Sequence, residues 1–397
     1  MNGHASDSES GWQVVQAVNT PLALRQFILK LHSRCNLACD YCYVYTMADQ
    51  RWRSRPRAMS AATMLTVARR IAEHVHAHGL SEIEVVLHGG EPLLAGIAAI
   101  EHCVLAVRRA VGSSTRVRVT MQTNGLLLDR PALVALDELG VHVSVSLDGG
   151  QAAQDRHRRT ADGRSSYSGT ARRLRELMKF PAVYAGLLCT VDVRNHPTAV
   201  YESLLEFAPP AVDFLLPHGN WSNPPPLRDP ASAETPYADW LIEVFDRWYD
   251  APRRETGVRL FDELLSVVLG GRSRVEGVGL SPARMVVVET DGAVENSDVL
   301  ASTFSGAAAT GLHVIRDPFD AVLRLPGVAA RQQGVRGLPT RCRSCPIRRD
   351  CGGGLPAHRY DTDGFDHPSV YCRDLFALVA HIRQRVATDL ARLGRPS

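Results

Sequence analysis

No run of apolar residues in the 397-residue sequence approaches the roughly 20 that a membrane-spanning helix requires. Excess charge of either sign is also lacking. The 45 basic and 42 acidic residues leave a net charge of +3, too little to predict binding to nucleic acid or to a membrane surface. Residues 1–20 have neither the basic start nor the apolar core of an export signal, which predicts a cytoplasmic protein. In that reducing compartment the nine cysteines read as metal ligands rather than disulfides. No internal repeat or long low-complexity tract is found. What is present, 45% hydrophobic and 22% charged residues, is the balance of a soluble globular chain, long enough for one large domain and a smaller appendage.

One more absence directs the functional reading. Cys35, Cys39 and Cys42 form a C-x3-C-x2-C loop directly after the apolar run Phe27-Ile28-Leu29-Lys30-Leu31, and no fourth cysteine lies beside them. Three thiolates can hold three corners of a 4Fe–4S cubane, leaving one iron open to a small molecule. A zinc loop would favour C-x2-C pairs answered by a second pair, and nothing nearby answers this one.

Around that loop, β-type runs alternate with helical patterns. Strands are predicted at 26–31, 83–87, 117–121, 141–147, 184–191 and 212–216. Helices are predicted from the Ser60 N-cap to about His78, then up to Val111, and over 130–139 and 169–178. The strands read as continuously apolar rather than alternating, which predicts a parallel sheet covered on both faces. Six βα units in series predict a partial (β/α)6 barrel of the TIM type, an α/β fold with its chemistry at the C-terminal strand ends. The pattern breaks at the Pro-rich stretch 223–226. Beyond it the sequence predicts helices over 237–249 and 260–269, a hairpin turning at Asp291-Gly292, a cysteine-rich region and a closing helix from about Leu375. The expected divisions are a loose N-terminus (1–23), the barrel (24–222), linker and bridging helices (223–279) and a cluster-binding extension (280–397).

Polar residues collect at the predicted strand tips. His88-Gly89-Gly90-Glu91-Pro92 follows the second strand, Gln122-Thr123-Asn124-Gly125 the third, and Ser146-Leu147-Asp148-Gly149 the fourth, with Arg158 and Arg159 beyond. Each alone is an ordinary turn; together they put ligand-facing groups at one end of one sheet. Farther on, Cys342, Cys345, Cys351 and Cys372 can complete a second iron–sulfur cluster with no open iron, or a four-cysteine zinc site. Gly352-Gly353-Gly354 would let backbone N–H groups reach the cluster sulfurs. Cys103 and Cys189 fall in apolar patterns and receive no role. Residues 51–57 (Arg-Trp-Arg-Ser-Arg-Pro-Arg) read as a solvated basic face, with a grip on an acidic peptide as the other reading.

These motifs resemble the radical SAM/SPASM peptide maturases, and most of all the FxsB-like cyclophane-forming enzymes, from about residue 24 to 378. The likeness rests on the C-x3-C-x2-C loop (35–42) and on the stretches 31–39, 189–195 (Cys-Thr-Val-Asp-Val-Arg-Asn), 235–240 (Thr-Pro-Tyr-Ala-Asp-Trp) and 351–360. It implies a radical SAM barrel with a SPASM-like extension, whose open iron is chelated by S-adenosylmethionine (SAM). It further implies that Gly89, Gly90 and Glu91 hold the methionine amino group. Gln122, Asn124, Ser146 and Asp148 would then bind the ribose and carboxylate, with Arg158 a candidate for the carboxylate. The sequence departs from a full SPASM pattern: Leu355 stands where a further cysteine is expected, and 288–297 has none. One auxiliary cluster is therefore implied rather than two. Asp298, just after a lost cysteine position, resembles the aspartate that accepts a proton in the related sulfatase-maturing enzymes.

The implied activity is removal of a β-hydrogen from a ribosomally made precursor peptide and closure of an aromatic ring onto that carbon. A flavodoxin or ferredoxin would be the external electron donor. A formylglycine-type sulfatase maturase and a non-catalytic iron–sulfur carrier are the alternatives. Anaerobically reconstituted protein is expected to hold two clusters, about eight irons, and replacing Cys35, Cys39 and Cys42 with Ala to leave about half of that iron and no SAM cleavage. Zinc at the second set in elemental analysis would refute the auxiliary cluster.

Overall fold

The computed structural model describes residues 21–229 and 231–393, so the expected loose N-terminus lies outside it apart from residues 21–23. Six strands follow one another across a sheet: β1 (Gln26–His32), β2 (Glu82–Gly89), β3 (Arg116–Thr123), β4 (Val141–Ser146), β5 (Tyr184–Thr190) and β6 (Ala211–Leu215). Each pairs in parallel with the next. Between them run helices α1 (Ala61–Ala77), α2 (Ile97–Val111), α3 (Arg130–Glu138), α4 (Gln151–His157), α5 (Tyr167–Leu177) and α6 (Pro197–Leu205). The partial barrel expected from the sequence is present. Its boundaries follow local chemistry: the Ser60 side chain accepts from the Thr63 N–H to cap α1, a contact worth about 1 kcal/mol.

The strands alternate more than the sequence reading allowed. Phe27, Leu29, Leu31, Ile83, Val85, Leu87, Val119, Met121, Val143 and Val145 are buried beneath the helices. The opposite positions, including Ile28, Val86, His88, Gln122, Ser146, Leu188 and Thr190, face a cavity of about 400 Å³ inside the barrel. A barrel enclosing a polar site needs one apolar face and one mixed face, which period-2 side-chain alternation supplies. At the closed end Gln26 donates to Glu84 at 2.7 Å and Arg259 pairs with Asp213, so polar residues plug the floor.

After β6, a two-residue strand β7 (Gly257–Val258) extends one edge, flanked by helices α7 (Pro236–Tyr249) and α8 (Arg259–Val268). The predicted hairpin is β8 (Met285–Val288) and β9 (Ala293–Glu295). It does not stand apart from the barrel: β8 pairs in parallel with β1, Leu29 opposite Val288, and β10 (Ala309–His313) follows beside β9. One ten-stranded sheet in the order β10-β9-β8-β1-β2-β3-β4-β5-β6-β7 results among the described residues. The closing helix, Cys372–Leu393, packs on α7. No helix among the described residues is long and apolar enough to cross a membrane.

Two arginines of the basic stretch after the cysteine loop depart from the solvated face expected of it, while Arg53 and Arg57 are exposed. Arg55 is 8% exposed at its side chain and pairs with Glu295 at 2.7 Å and Asp291 at 2.7 Å. Arg51 bridges Glu295 at 2.9 Å and Asp49 at 2.6 Å. Arg51 and Arg55 latch the loop after the cysteines to the hairpin; Glu295 and Asp291 come some 240 residues later, beyond the reach of local pattern. Removing one member of a buried ion network strands its partner's charge, which costs about 3–5 kcal/mol. Arg55→Ala is therefore expected to lower stability by about that amount in denaturant unfolding, whereas Arg53→Ala, in the same stretch but outside this network, should change it little.

Candidate active site

The cysteine loop leaves the C-terminal end of β1 and is stitched to the tip of β2. Gly90 N–H donates to the His32 carbonyl at 2.8 Å and Glu91 N–H to the Arg34 carbonyl at 3.0 Å. A Cβ at Gly90 would lie 1.8 Å from the Tyr45 hydroxyl and 2.5 Å from the Arg34 carbonyl oxygen. The two glycines thus admit the chain's own cysteine loop, a role the sequence reading gave only to an approaching ligand. Cys35, Cys39 and Cys42 all face the cavity, and each thiol feels the charge of its neighbours. Burial pushes all three thiols up, Cys39 to about 12, a bias that a bound cation reverses by stabilising thiolate.

Of the strand-tip residues, Gly89, Gly90, Gln122, Asn124, Ser146 and Arg158 line the same cavity. Glu91 and Asp148 stand behind it. Glu91 is fully buried and accepts from Thr123 Oγ1 at 2.7 Å, Asn124 N–H at 2.9 Å and Leu93 N–H at 3.0 Å. Its carboxylate ties the tip of β2 to that of β3. Asp148 accepts from the Tyr41 hydroxyl at 2.5 Å and the Thr190 N–H at 3.1 Å. Arg158 donates to Tyr41 Oη at 2.9 Å, while its buried Nε has no hydrogen-bond partner. Asn124 donates to Cys35 Sγ at 3.6 Å and to Asn36 Oδ1 at 2.7 Å.

Asp298 reaches the cavity from the turn after β9. It is 5% exposed, accepts from the Tyr43 hydroxyl at 2.7 Å and lies 3.6 Å from Lys30 Nζ. Lys30 in turn donates to Glu289 at 2.7 Å. Burial alone would raise the Asp298 pKa, but Lys30, then His88 and the Tyr43 hydrogen bond, outweigh it and hold the carboxyl below its usual range. His88 and His218 also line the cavity; each has a buried Nδ1 without a partner, and burial lowers both, His218 to about 4. The site is a buried, ionised carboxylate flanked by neutral imidazoles and one ammonium. The sequence reading assigned no role to Lys30, Tyr43, His88 or His218. One signal was available: a lysine inside the apolar run of β1 must have a buried counter-charge.

Residues 29–187 match the family profile of the Radical SAM superfamily. The chain is 27% identical over 289 residues to a cysteine-type anaerobic sulfatase-maturating enzyme of Clostridium perfringens, covering 70% of this chain and 74% of that one. It is 26% identical over 355 residues to a serine-type enzyme of Klebsiella aerogenes, covering 85% and 81%. Residues 29–187 therefore form a radical SAM domain. The chain's fold matches the solved structure of native anSMEcpe with bound AdoMet and Cp18Cys peptide at a TM-score of 0.76 and 22% identity, covering 93% of this chain and 99% of that one.

The second cysteine set, beyond the matched residues, also gathers. Cys342 lies in the short helical turn Thr340–Arg343 and Cys345 just after it, Cys351 ends the next, and Cys372 opens the closing helix; Cys342 feels the charge of Cys372 and Cys345, and Cys351 that of Cys372 and Cys342. Tetrahedral zinc would draw four sulfurs to about 3.8 Å from one another. An iron–sulfur cluster, whose thiolates bind separate irons, holds its sulfurs farther apart. Gly352, Gly353 and Gly354 all have positive φ (62°, 76° and 67°). Their carbonyls converge on the buried Arg359 guanidinium at 2.7–2.9 Å, while the Gly353 N–H is directed to the Cys351 sulfur. Both donor sets therefore fit iron–sulfur clusters, and the unpartnered Arg158 Nε fits a carboxylate-bearing cofactor. Gly90→Ala is expected to displace the cysteine loop and halve the iron bound after reconstitution, leaving the second set loaded; full iron content would show that the loop tolerates the methyl group.

Proposed function

We propose that the enzyme oxidises a peptide side chain at its β-carbon, as a formylglycine-type maturase acting on cysteine or serine. The observation that carries this reading is Asp298: a buried, ionised carboxylate in the same cavity as the three-cysteine loop, held by Tyr43 and Lys30. The relatives' names, which specify maturation of sulfatases of the cysteine and serine type, support it, as does the peptide in the solved structure. Cys35, Cys39 and Cys42 would hold the SAM-binding cluster, and Cys342, Cys345, Cys351 and Cys372 the auxiliary one. With these cofactors bound, the chemistry supplied is a 5′-deoxyadenosyl radical that removes one hydrogen atom, and an auxiliary acceptor for one electron. A flavodoxin or ferredoxin would supply the priming electron.

The chain's own residues do the rest. Gly89, Gly90, Gln122, Asn124, Ser146 and Arg158 would orient SAM, with Glu91 and Asp148 fixing the strand tips that carry them. Asp298 takes the heteroatom proton as the second electron leaves, so a serine C–O bond becomes the aldehyde C=O directly, whereas a cysteine C–S bond becomes a thioaldehyde that water hydrolyses to the aldehyde with release of hydrogen sulfide. Its lowered pKa keeps it ionised at neutral pH, ready to accept. His88 and His218 offer uncharged hydrogen-bonding groups on either side of it.

A second reading, cyclophane formation, has one structural observation in its favour. Beyond Asp298 the cavity wall is apolar, with Leu215, Leu216, Pro217, Val299 and Leu355, and would accept an aromatic ring beside the reacting carbon. Ring closure over a few residues is sterically tight and needs a clamped, extended peptide.

Asp298→Asn is expected to retain SAM cleavage while product formation falls at least ~100-fold, the usual contribution of a positioned base. Incubation with cysteine- and serine-containing peptides, and with small peptides encoded beside this chain, should yield an aldehyde that hydrazide reagents capture. A product that resists capture and shows a ring-to-β-carbon correlation in NMR would transfer the assignment to the cyclophane reading. Full turnover by the asparagine variant would remove Asp298 as the base.

A further inference from the structure

On the outside of the barrel, away from the cysteine loop, two imidazoles and a carboxylate converge. His74 and His78 lie one turn apart at the C-terminal end of α1, and Asp320 comes from the turn Phe319–Arg324 that follows β10. The Asp320 Oδ1 oxygen contacts His74 Nδ1 and stands 3.0 Å from His78 Nε2. One ligand atom from each of the three residues lies within 4.8 Å of the other two.

The hydrogen bonds of His74 make this more than a surface ion pair. Its Nε2 lies 3.2 Å from the Leu24 carbonyl oxygen. A carbonyl only accepts, so Nε2 carries the proton. In a neutral imidazole the other nitrogen then presents a lone pair, and that lone pair faces a carboxylate oxygen. Two acceptors in contact require a cation between them, either a second proton on the ring or a metal ion. His74 is 2% exposed, so its ring is held in place by the packing around it rather than by solvent. A backbone carbonyl on the far nitrogen is also the usual means by which a ligating histidine is oriented.

We propose that His74, His78 and Asp320 form a divalent-metal site of the zinc class, separate from both cysteine sets, that clips the end of α1 to the segment after β10. Two nitrogens and one carboxylate oxygen suit zinc, with water in the fourth position. Zinc bonds of about 2.0–2.1 Å set ligand atoms about 3.3 Å apart. The His78–Asp320 distance is close to this, and Asp320, with 40% of its side chain exposed, has room to draw back from His74. The clip would join residues 242 positions apart in the chain, so metal bound here stabilises the docking of the C-terminal part on the barrel.

The test uses holoenzyme with both clusters loaded, titrated with zinc against a competing chelator, with iron and zinc counted by mass spectrometry. One zinc per chain is expected at unchanged iron content, bound at least ten-fold more weakly by His78→Ala and by Asp320→Asn. X-ray absorption at the zinc edge should show a nitrogen/oxygen shell with imidazole scattering. His78 is partly exposed and Asp320 lies at the surface, so unchanged SAM cleavage certifies that both variants are folded. Equal zinc affinity in wild type and variants, a sulfur ligand in the zinc shell, or iron lost as zinc binds would overturn the proposal.

Discussion

A single buried ammonium holds the site together. Lys30 projects from the middle of β1, five residues before the first cysteine, into a space where an isolated charge would be prohibitive. Glu289 and Asp298 neutralise it, and burial, which would strip its proton, is outweighed by these carboxylates, so its pKa lies above the usual lysine value. The dependence runs both ways. Without Lys30 the two carboxylates would share a buried space as like charges, and Asp298 could not stay ionised. Because Glu289 and Asp298 belong to the hairpin segment, the same charges that prepare the carboxylate also fasten that segment to β1.

The Arg51–Arg55 latch repeats this logic at the rim. It joins the loop after the cysteines to Glu295 and Asp291, so the two ends of the cysteine loop are held against the hairpin by ion pairs on both sides. Glu91 and Asp148 do the same for the strand tips through hydrogen bonds. The charged residues of the barrel mouth are largely spent on holding other residues in place, which leaves Arg158, His88 and His218, with their unpartnered nitrogens, as the groups available to a ligand.

Much of this was legible in the sequence, and the limits have physical causes. Strand and helix positions follow from local periodicity and from caps such as Ser60, so the six strands and most of the helices between them were readable, though α4 and α6 were not located. Both cysteine sets were readable because metal-ligand spacing is itself local. The parallel pairing of β8 with β1 was not, since nothing in either strand names its neighbour. The polar interior faces were misjudged because Ile28, Val86 and Leu188 line the cavity alongside His88 and Gln122, which blurs the alternation. Glu91 was readable as important, but its partners, Thr123 and the Asn124 N–H, lie on another strand tip. The product remains the least legible part: the apolar wall containing Leu355 admits an aromatic ring, whereas the relatives are maturases of cysteine and serine.

The docking of β8 beside β1 also sets an order of assembly. Tyr43 and its partner Asp298 are 255 residues apart, and a chain made from its N-terminus presents the cysteine loop long before the hairpin exists. Until β8 arrives, one edge of β1 is unpaired, Lys30 lacks its counter-charges, and the cysteines lie beside an open flank. In that interval the cysteine loop stands beside an open strand edge, and the last part of the chain to be made completes the wall next to it.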